Sequence, residues 1–391
     1  MVTKALLEGG ANLNARGRED HTPLLLATRS RNNDTAILLL RHGANLNCAA
    51  KDGTTPLMFA AQRGYLDTLK ILLANNPMLE TKNKAGETAL CQAVSYGREV
   101  TTKLLIEKGA NVNAATNNGD TPLMLATELN ETLVKLLLES GAAINQRCSK
   151  GDAALFRAAG YGYDGIVKIL LENGGDVEST DNIGLSAVAW AACNGHHSTV
   201  KLLLENGADV NIKDMDGDMP LREATWRGHE SVVNLLLQMG ANVDQKNNRG
   251  RTALFEAAEI GRRGIIKLLL KSGANVELRD NTGVPALFLA ATHGRDGVVK
   301  ILLEHGADIN ADDHTHGWQA LTEAAYGGHD ATVNILLQMG AAIDHEDREG
   351  KTALDYAKSE GNDSTIKLLE SWIQSTDDPE TVLETSLRLR Y

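Results

Sequence analysis

Aromatic side chains are scarce in this chain of 391 residues: four Phe, four Trp and seven Tyr. That scarcity makes the position of each one informative. Cysteine is equally thin, with Cys48, Cys91, Cys148 and Cys193 widely separated in sequence. Their spacing excludes a zinc knuckle or a redox pair, so they read as free thiols of a reducing compartment, cytosol or nucleus. No run of about 18 apolar residues occurs, which excludes a membrane-spanning helix. The segment Met1-Val2-Thr3-Lys4-Ala5-Leu6-Leu7 lacks the apolar stretch and cleavage site of a signal peptide. Positive charge is in deficit: 39 Lys and Arg against 51 Asp and Glu leave a net charge of −12. Such a field repels a polyanion and argues against nucleic acid as a partner. Gly-x-Ser-x-Gly, a phosphate-cradling loop ending in Lys-Ser/Thr and His-Glu-x-x-His are all missing, so the sequence predicts no enzyme, no catalytic residue and no cofactor.

What is present is a period. Gly53, Gly86, Gly119, Gly151, Gly184, Gly217, Gly250, Gly283, Gly317 and Gly350 recur at intervals of 33 residues, with one interval of 32 and one of 34. Asp20 holds the same phase one period earlier. Close variants of Thr-Pro-Leu follow each mark, as in Thr22-Pro23-Leu24, Thr55-Pro56-Leu57 and Thr121-Pro122-Leu123. A Gly-Ala pair comes later in the period at Gly43-Ala44, Gly109-Ala110, Gly207-Ala208 and Gly306-Ala307. A fixed period in this range is the signature of a stacked repeat array.

One period, Gly184 to Val210, shows what is encoded. Gly184 supplies a turn and Ser186 stands where Thr usually caps the first helix. Val188, Ala191 and Ala192 share one helical face, and the small alanines let neighbouring helices approach. Gly195 ends that helix. Val200, Leu202, Leu203 and Leu204 form the apolar side of a second helix that stops at Gly207, and a short extended arm turns back to Gly217. The order is helix, turn, helix, finger.

These residues resemble the ankyrin repeat, over residues 2–372. The resemblance implies an all-α solenoid of helix-turn-helix units with β-hairpin-like fingers, in a single elongated domain. Residues 1–19 read as a partial repeat with only a second helix and finger, residues 20–372 as eleven repeats, and residues 373–391 as a tail or capping helix. The uncapped start, with Leu6 and Leu7 on it, predicts sequence missing before Met1. After Asp377-Asp378-Pro379, the residues Val382, Leu383 and Leu387 read as a fold-back cap or a frayed tail.

The chain departs from the family at the residue after Thr-Pro-Leu, usually His. Here it is Leu25, Met58, Cys91, Met124, Phe156, Ala189, Arg222, Phe255, Phe288, Thr322 and Asp355. The family's Thr–His hydrogen bond is therefore absent, and the position reads as free to vary for contact. The 32-residue repeat lacks its inter-helix glycine and has Asn130 at the join, where Asn is expected to take a left-handed turn. The 34-residue interval places an extra residue in the finger Asp312–His316, which should protrude.

His196, His229 and His329 stand where the family itself has His, which implies a structural use. His314 and His316, near His293 and Trp318, form the one local group to weigh as a metal site, and His-x-His alone is a weak signal. No metal is expected. Asp181, Asp214, Asp280 and Asp347, each three before a marker glycine, resemble the family's turn-bonding aspartate.

The family resemblance places four positions per repeat on a concave face: one, five, nine and ten residues after the marker. Eight of the chain's aromatics occupy them: Tyr96, Phe156, Tyr161, Trp226, Phe255, Phe288, Trp318 and Tyr326. Phe59, Trp190 and Tyr356 read as core. The C-terminal group is interleaved with Arg222, Arg227, Arg249 and Arg251, a local basic group in an acidic chain. Trp, Tyr and Arg are enriched at interface hot spots. The expected partner-binding set is therefore Arg222, Trp226, Arg227, Arg249, Arg251, Phe255, Phe288, Trp318 and Tyr326.

The resemblance implies a protein-interaction scaffold or adaptor, monomeric, that holds a partner protein in its concave groove. The cations and aromatics together favour a segment with acidic residues flanking apolar ones, with no nucleic acid and no membrane. The alternative is a ligand-sensing or structural arm of a larger signalling protein. The phrase Ala189-Trp190-Ala191-Ala192-Cys193-Asn194-Gly195-His196 is similar to ankyrin tails of fungal signalling and immune-type receptors.

Overall fold

The computed structural model describes residues 8–376, together with Lys4. The described chain is α-helical: one short 3-10 turn, Arg18–Asp20, precedes 22 helices arranged in eleven successive pairs. The contacts gather into two compact units. One holds the described residues up to Ala191 with Ser198–Ala208, and the other holds Ala192–His197 with the described residues from Asp209 onward.

In the first unit the pairs run from Pro23–Arg29 with Asn33–Arg41 to Ala154–Tyr161 with Asp164–Glu172. The first helices from Pro23–Arg29 to Pro122–Ala126 begin where the sequence places a threonine cap, whereas Ala153 makes no side-chain cap bond to Ala154–Tyr161. The hydroxyl oxygens of Thr22, Thr55, Thr88 and Thr121 accept from the backbone N–H groups of Leu25, Met58, Cys91 and Met124 at 3.2–3.3 Å. Those bonds satisfy donors that a helix start leaves orphaned. Pro23, Pro56 and Pro122 occupy the first turn, where a missing N–H costs nothing. The core is a ladder of leucines and small residues: Leu57, Ala60, Ala61, Leu69 and Leu72 are buried, as are Leu155, Ala158, Ala159, Val167 and Leu170. Burying each leucine is worth about 2 kcal/mol.

The second unit repeats the pattern from Pro220–Arg227 with Glu230–Gln238 to Ala353–Glu360 with Asp363–Thr376. Ala257 and Ala258, Ala290 and Ala291, and Ala324 and Ala325 are fully buried, opposite Ile266, Val299 and Val333. Capping is sparser: Met219, Thr252, Pro285 and Gln319 make no side-chain cap bond, while Thr352 caps through the Asp355 N–H.

The fingers are turns rather than hairpins, with isolated bridges at Thr180–Ser186, Arg279–Pro285 and Asp312–Gln319 among the described residues. The turn-bonding aspartates behave as the resemblance implies. Asp181 accepts from the N–H groups of Ile183 and Leu185, Asp214 from Asp216 and Asp218, Asp280 from Thr282 and Val284, and Asp347 from Glu349 and Lys351. Consecutive fingers are tied by backbone bonds, Lys84 N–H to Asp52 O in the first unit and Asn281 N–H to Arg249 O in the second. Asn182 and Asn281 each add a side-chain bond to the finger before.

Two irregular repeats resolve differently from one another. Asn130 is extended, at φ −162°, and its side chain accepts from the Leu133 N–H as the cap of Glu131–Glu139. The left-handed turn expected there is absent: the first helix is cut to Pro122–Ala126, and the turn falls before Asn130. In the long finger, Asp313 accepts from the N–H groups of His316 and Trp318, spanning the extra residue, and His314, Thr315 and His316 are exposed. Leu6, Leu7 and the fold-back residues Val382, Leu383 and Leu387 lie outside the described residues.

Candidate functional site

The position five residues after each marker decides how much of the expected site survives. Leu25, Met58, Cys91, Met124, Phe156, Ala189, Phe255, Phe288 and Thr322 are all buried there. In these repeats the position belongs to the interior, beside the buried leucine stripe, whereas Asp355 in the last pair is exposed. Phe255, 1% exposed, and Phe288, 7% exposed, are therefore core residues and not partner-contact anchors. The reading of this position as a variable contact site is corrected for the same reason.

Arg222 is the cation that occupies this interior position, and its surroundings are built for it. Its Nη1 lies 2.6 Å from Asp218 Oδ2 and 3.3 Å from Glu223 Oε1, and its Nη2 lies 3.2 Å from Glu256 Oε1. Asp218 and Glu256 are themselves buried. Burial pushes the carboxyls of Asp218 and Glu223 up, against the opposing pull of Arg222. Asp214 joins this group, its carboxylate within 4.8 Å of those of Asp218 and Glu223. Arg251 is committed in the same way, 2.9 Å from Glu259 and 3.3 Å from Asp280. Neither arginine is the free bidentate donor that the sequence suggests; both neutralise carboxylates of their own chain.

Trp318 is half-buried and is a hub. Its Nε1 donates toward Asp347 Oδ2 at 3.0 Å and toward the Tyr356 hydroxyl at 3.2 Å, with its ring 4.5 Å from that of Tyr356 and 5.5 Å from that of Tyr326. Tyr356 is buried, as its core assignment requires. The exposed members of the expected set are Trp226 (45%), Tyr326 (43%), Arg227 and Arg249.

In the first unit, the rows of concave aromatics also divide. Tyr96 and Tyr161 are exposed, whereas Phe156 is buried and stacks on Trp190 at 6.0 Å.

The histidines are structural where their contacts are described. The Nε2–H of His229 reaches Cys193 O at 3.0 Å and that of His329 reaches Thr292 O at 2.9 Å. Each satisfies an open carbonyl at the end of a preceding first helix. His293 bonds its own helix at Leu289 O, and His316 pairs with Asp313. The three-residue convergence of metal-type ligands among the described residues, Asp214 with Asp218 and Glu223, includes none of these histidines. Cys91, Cys148 and Cys193 are buried and all four thiols are free.

The sequence reading missed a basic and aromatic group in the first unit. The guanidinium carbons of Arg29 and Arg63 lie 5.2 and 5.4 Å from the centroid of the Phe59 ring, and that of Arg31 lies 4.9 Å from the centroid of Tyr65. Arg29 and Arg63 stand nine and ten residues after their markers, positions already assigned to the concave face. Cations were weighed only beside the C-terminal group of concave aromatics, which passed over them.

No described helix is long and apolar enough to cross a membrane. A family model described as ankyrin repeats in three copies matches residues 1–84, 76–148, 127–214, 155–247, 221–313 and 311–377. No curated protein matches the chain.

Proposed function

The chain belongs to the ankyrin repeat family, and from that premise we propose that it is a monomeric scaffold or adaptor that binds a partner protein through the exposed residues of its second unit. Ankyrin repeats are in general protein–protein interaction modules and are typically non-catalytic. The observation that carries the reading is the exposure of Trp226 and Tyr326, large side chains left at the surface of a unit that buries Phe255 and Phe288 and half-buries Trp318. Arg227 and Arg249, also exposed, supply the polar contacts. Trp318 packs against Tyr326, with ring centroids 5.5 Å apart. Trp and Tyr bury large area with few rotatable bonds, which suits a binding hot spot.

With Arg222 and Arg251 neutralised internally, this surface favours apolar and aromatic groups of a partner over a run of acids. The four free thiols fit a reducing compartment, cytosol or nucleus. Affinity capture with the intact chain and with Trp226→Ala/Tyr326→Ala tests the reading. Proteins retained by the intact chain and lost by the folded variant support it; an unchanged set of retained proteins overturns it.

A further inference from the structure

We propose that the first unit carries a second docking surface, for an acidic peptide segment of a partner protein, on Arg29, Arg31, Arg63 and Arg98. The proposal is independent of the Trp226–Tyr326 reading, since it rests on different residues in the other unit.

The four arginines are exposed. None forms an ion pair with a carboxylate of the described residues, in contrast to Arg16, Arg157, Arg222 and Arg251. Their own contacts are neutral. Arg29 and Arg63 flank the single ring of Phe59, Arg31 lies over Tyr65, Arg29 Nη1 is 3.1 Å from His21 Nε2, and Arg98 Nε donates to Gln62 O at 3.1 Å. A guanidinium over an aromatic face uses its flat side and keeps its N–H edge turned to solvent. That edge is a rigid fork matched to a carboxylate, and the ring beneath holds it with little freedom left to lose.

Among the half-buried arginines, Arg157, Arg222 and Arg251 are paired with carboxylates of their own chain, and Arg279 bonds the carbonyls of Gly283 and Asp312. In a protein of net charge −12, acids to pair Arg29, Arg31, Arg63 and Arg98 are plentiful in composition, yet these four cations stay unpaired. Charge complementarity therefore calls for acids supplied by another molecule. A peptide with a few carboxylates fits better than a nucleic acid. The net negative field repels a long polyanion, and four cations neutralise too few phosphates for tight binding at physiological salt.

The test is fluorescence anisotropy of the full chain with a labelled decaglutamate peptide, a ten-nucleotide single-stranded DNA and vesicles containing an anionic phospholipid. Arg29→Gln/Arg63→Gln is compared with Lys168→Gln/Lys300→Gln, which removes the same charge from exposed positions elsewhere. The expected result is peptide binding that the arginine pair weakens about tenfold or more and the lysine pair leaves nearly unchanged. Arg31→Gln/Arg98→Gln should weaken it as well, which serves if the first variant melts early. Absent peptide binding, equal loss in the arginine and lysine variants, or tighter binding of the DNA or the vesicles would each overturn the proposal.

Discussion

The indole of Trp318 and the carboxylate of Asp347 are joined by a 3.0 Å hydrogen bond that links two successive fingers through side chains 29 residues apart. The Tyr356 hydroxyl closes the group by donating to the same carboxylate oxygen at 2.6 Å. An aromatic that reads in sequence as a free anchor thus holds the last repeats together, with Tyr326 resting on it.

This group makes the C-terminal repeats sensitive to acid. Burial would raise the Asp347 carboxyl, but hydrogen bonds from Tyr356, the Lys351 and Glu349 N–H groups and Trp318 outweigh it and lower its pKa to about 2. An unfolded aspartate titrates near 3.9, so the stabilisation is complete above about pH 4 and is lost as pH falls through about 2. Asp347→Asn should cost roughly 2 kcal/mol near neutral pH and remove this acid-dependent part. Thermal melts of both proteins between about pH 6 and pH 2 check it. Parallel curves would place the acid sensitivity elsewhere.

Phe255 and Trp226 should separate folding from binding. Phe255 is 1% exposed, and truncation to Ala should destabilise the protein by about 3–5 kcal/mol through the cavity it leaves. Trp226 is 45% exposed, and its truncation should leave the melting transition nearly unchanged while weakening a captured partner by roughly 2 kcal/mol. Melting and binding measured on the same two variants decide the matter. A large stability loss from Trp226→Ala would place that residue in the core.

Local features of the fold were legible because they are local. Thr22, Thr55 and Thr121 cap helices three residues on, and Asp214 and Asp280 bond their own turns, so a few adjacent letters carry the whole interaction. The candidate site was less legible because burial at a stripe's edge is set by the neighbouring repeat. Helical spacing places Phe255 and Phe288 beside the leucine stripe but does not say that a neighbour covers them. Arg222 misled for a related reason: its deepest partner, Glu256, lies 34 residues away. Asn130 was readable as a substitute for glycine, but its side chain equally suits a helix cap, and the shortened first helix decides between the two.

The Arg222 network predicts an asymmetric response to mutation. Arg222→Ala leaves Asp218 and Glu256 buried without their cation and should cost about 3 kcal/mol or more. Removing both charges together, as Arg222→Met/Glu256→Met, should recover part of that loss, since apolar side chains suit a position that is buried in nine of the other ten repeats, while Asp218 still lacks its cation. Denaturant unfolding of the single and double variants measures the coupling. Additive losses would mean that the two charges do not depend on each other.

The recurring glycine has two separable physical demands, and two positions isolate them. Gly53 adopts φ +85°, and a Cβ there would lie 2.7 Å from Asn83 Cα and 3.0 Å from Lys84 N in the next finger. Lys84 N is the atom that donates to Asp52 O at 2.9 Å, so an added methyl strikes the bond tying the two fingers. Gly43 has a similar φ of +89° but open space around the missing Cβ. Gly43→Ala should therefore cost about 1 kcal/mol, the conformational penalty alone. Gly53→Ala should cost at least about 1 kcal/mol more, because the fingers must part as well. Equal losses in chemical denaturation would mean that the fingers yield freely, and that backbone conformation alone requires the marker glycine.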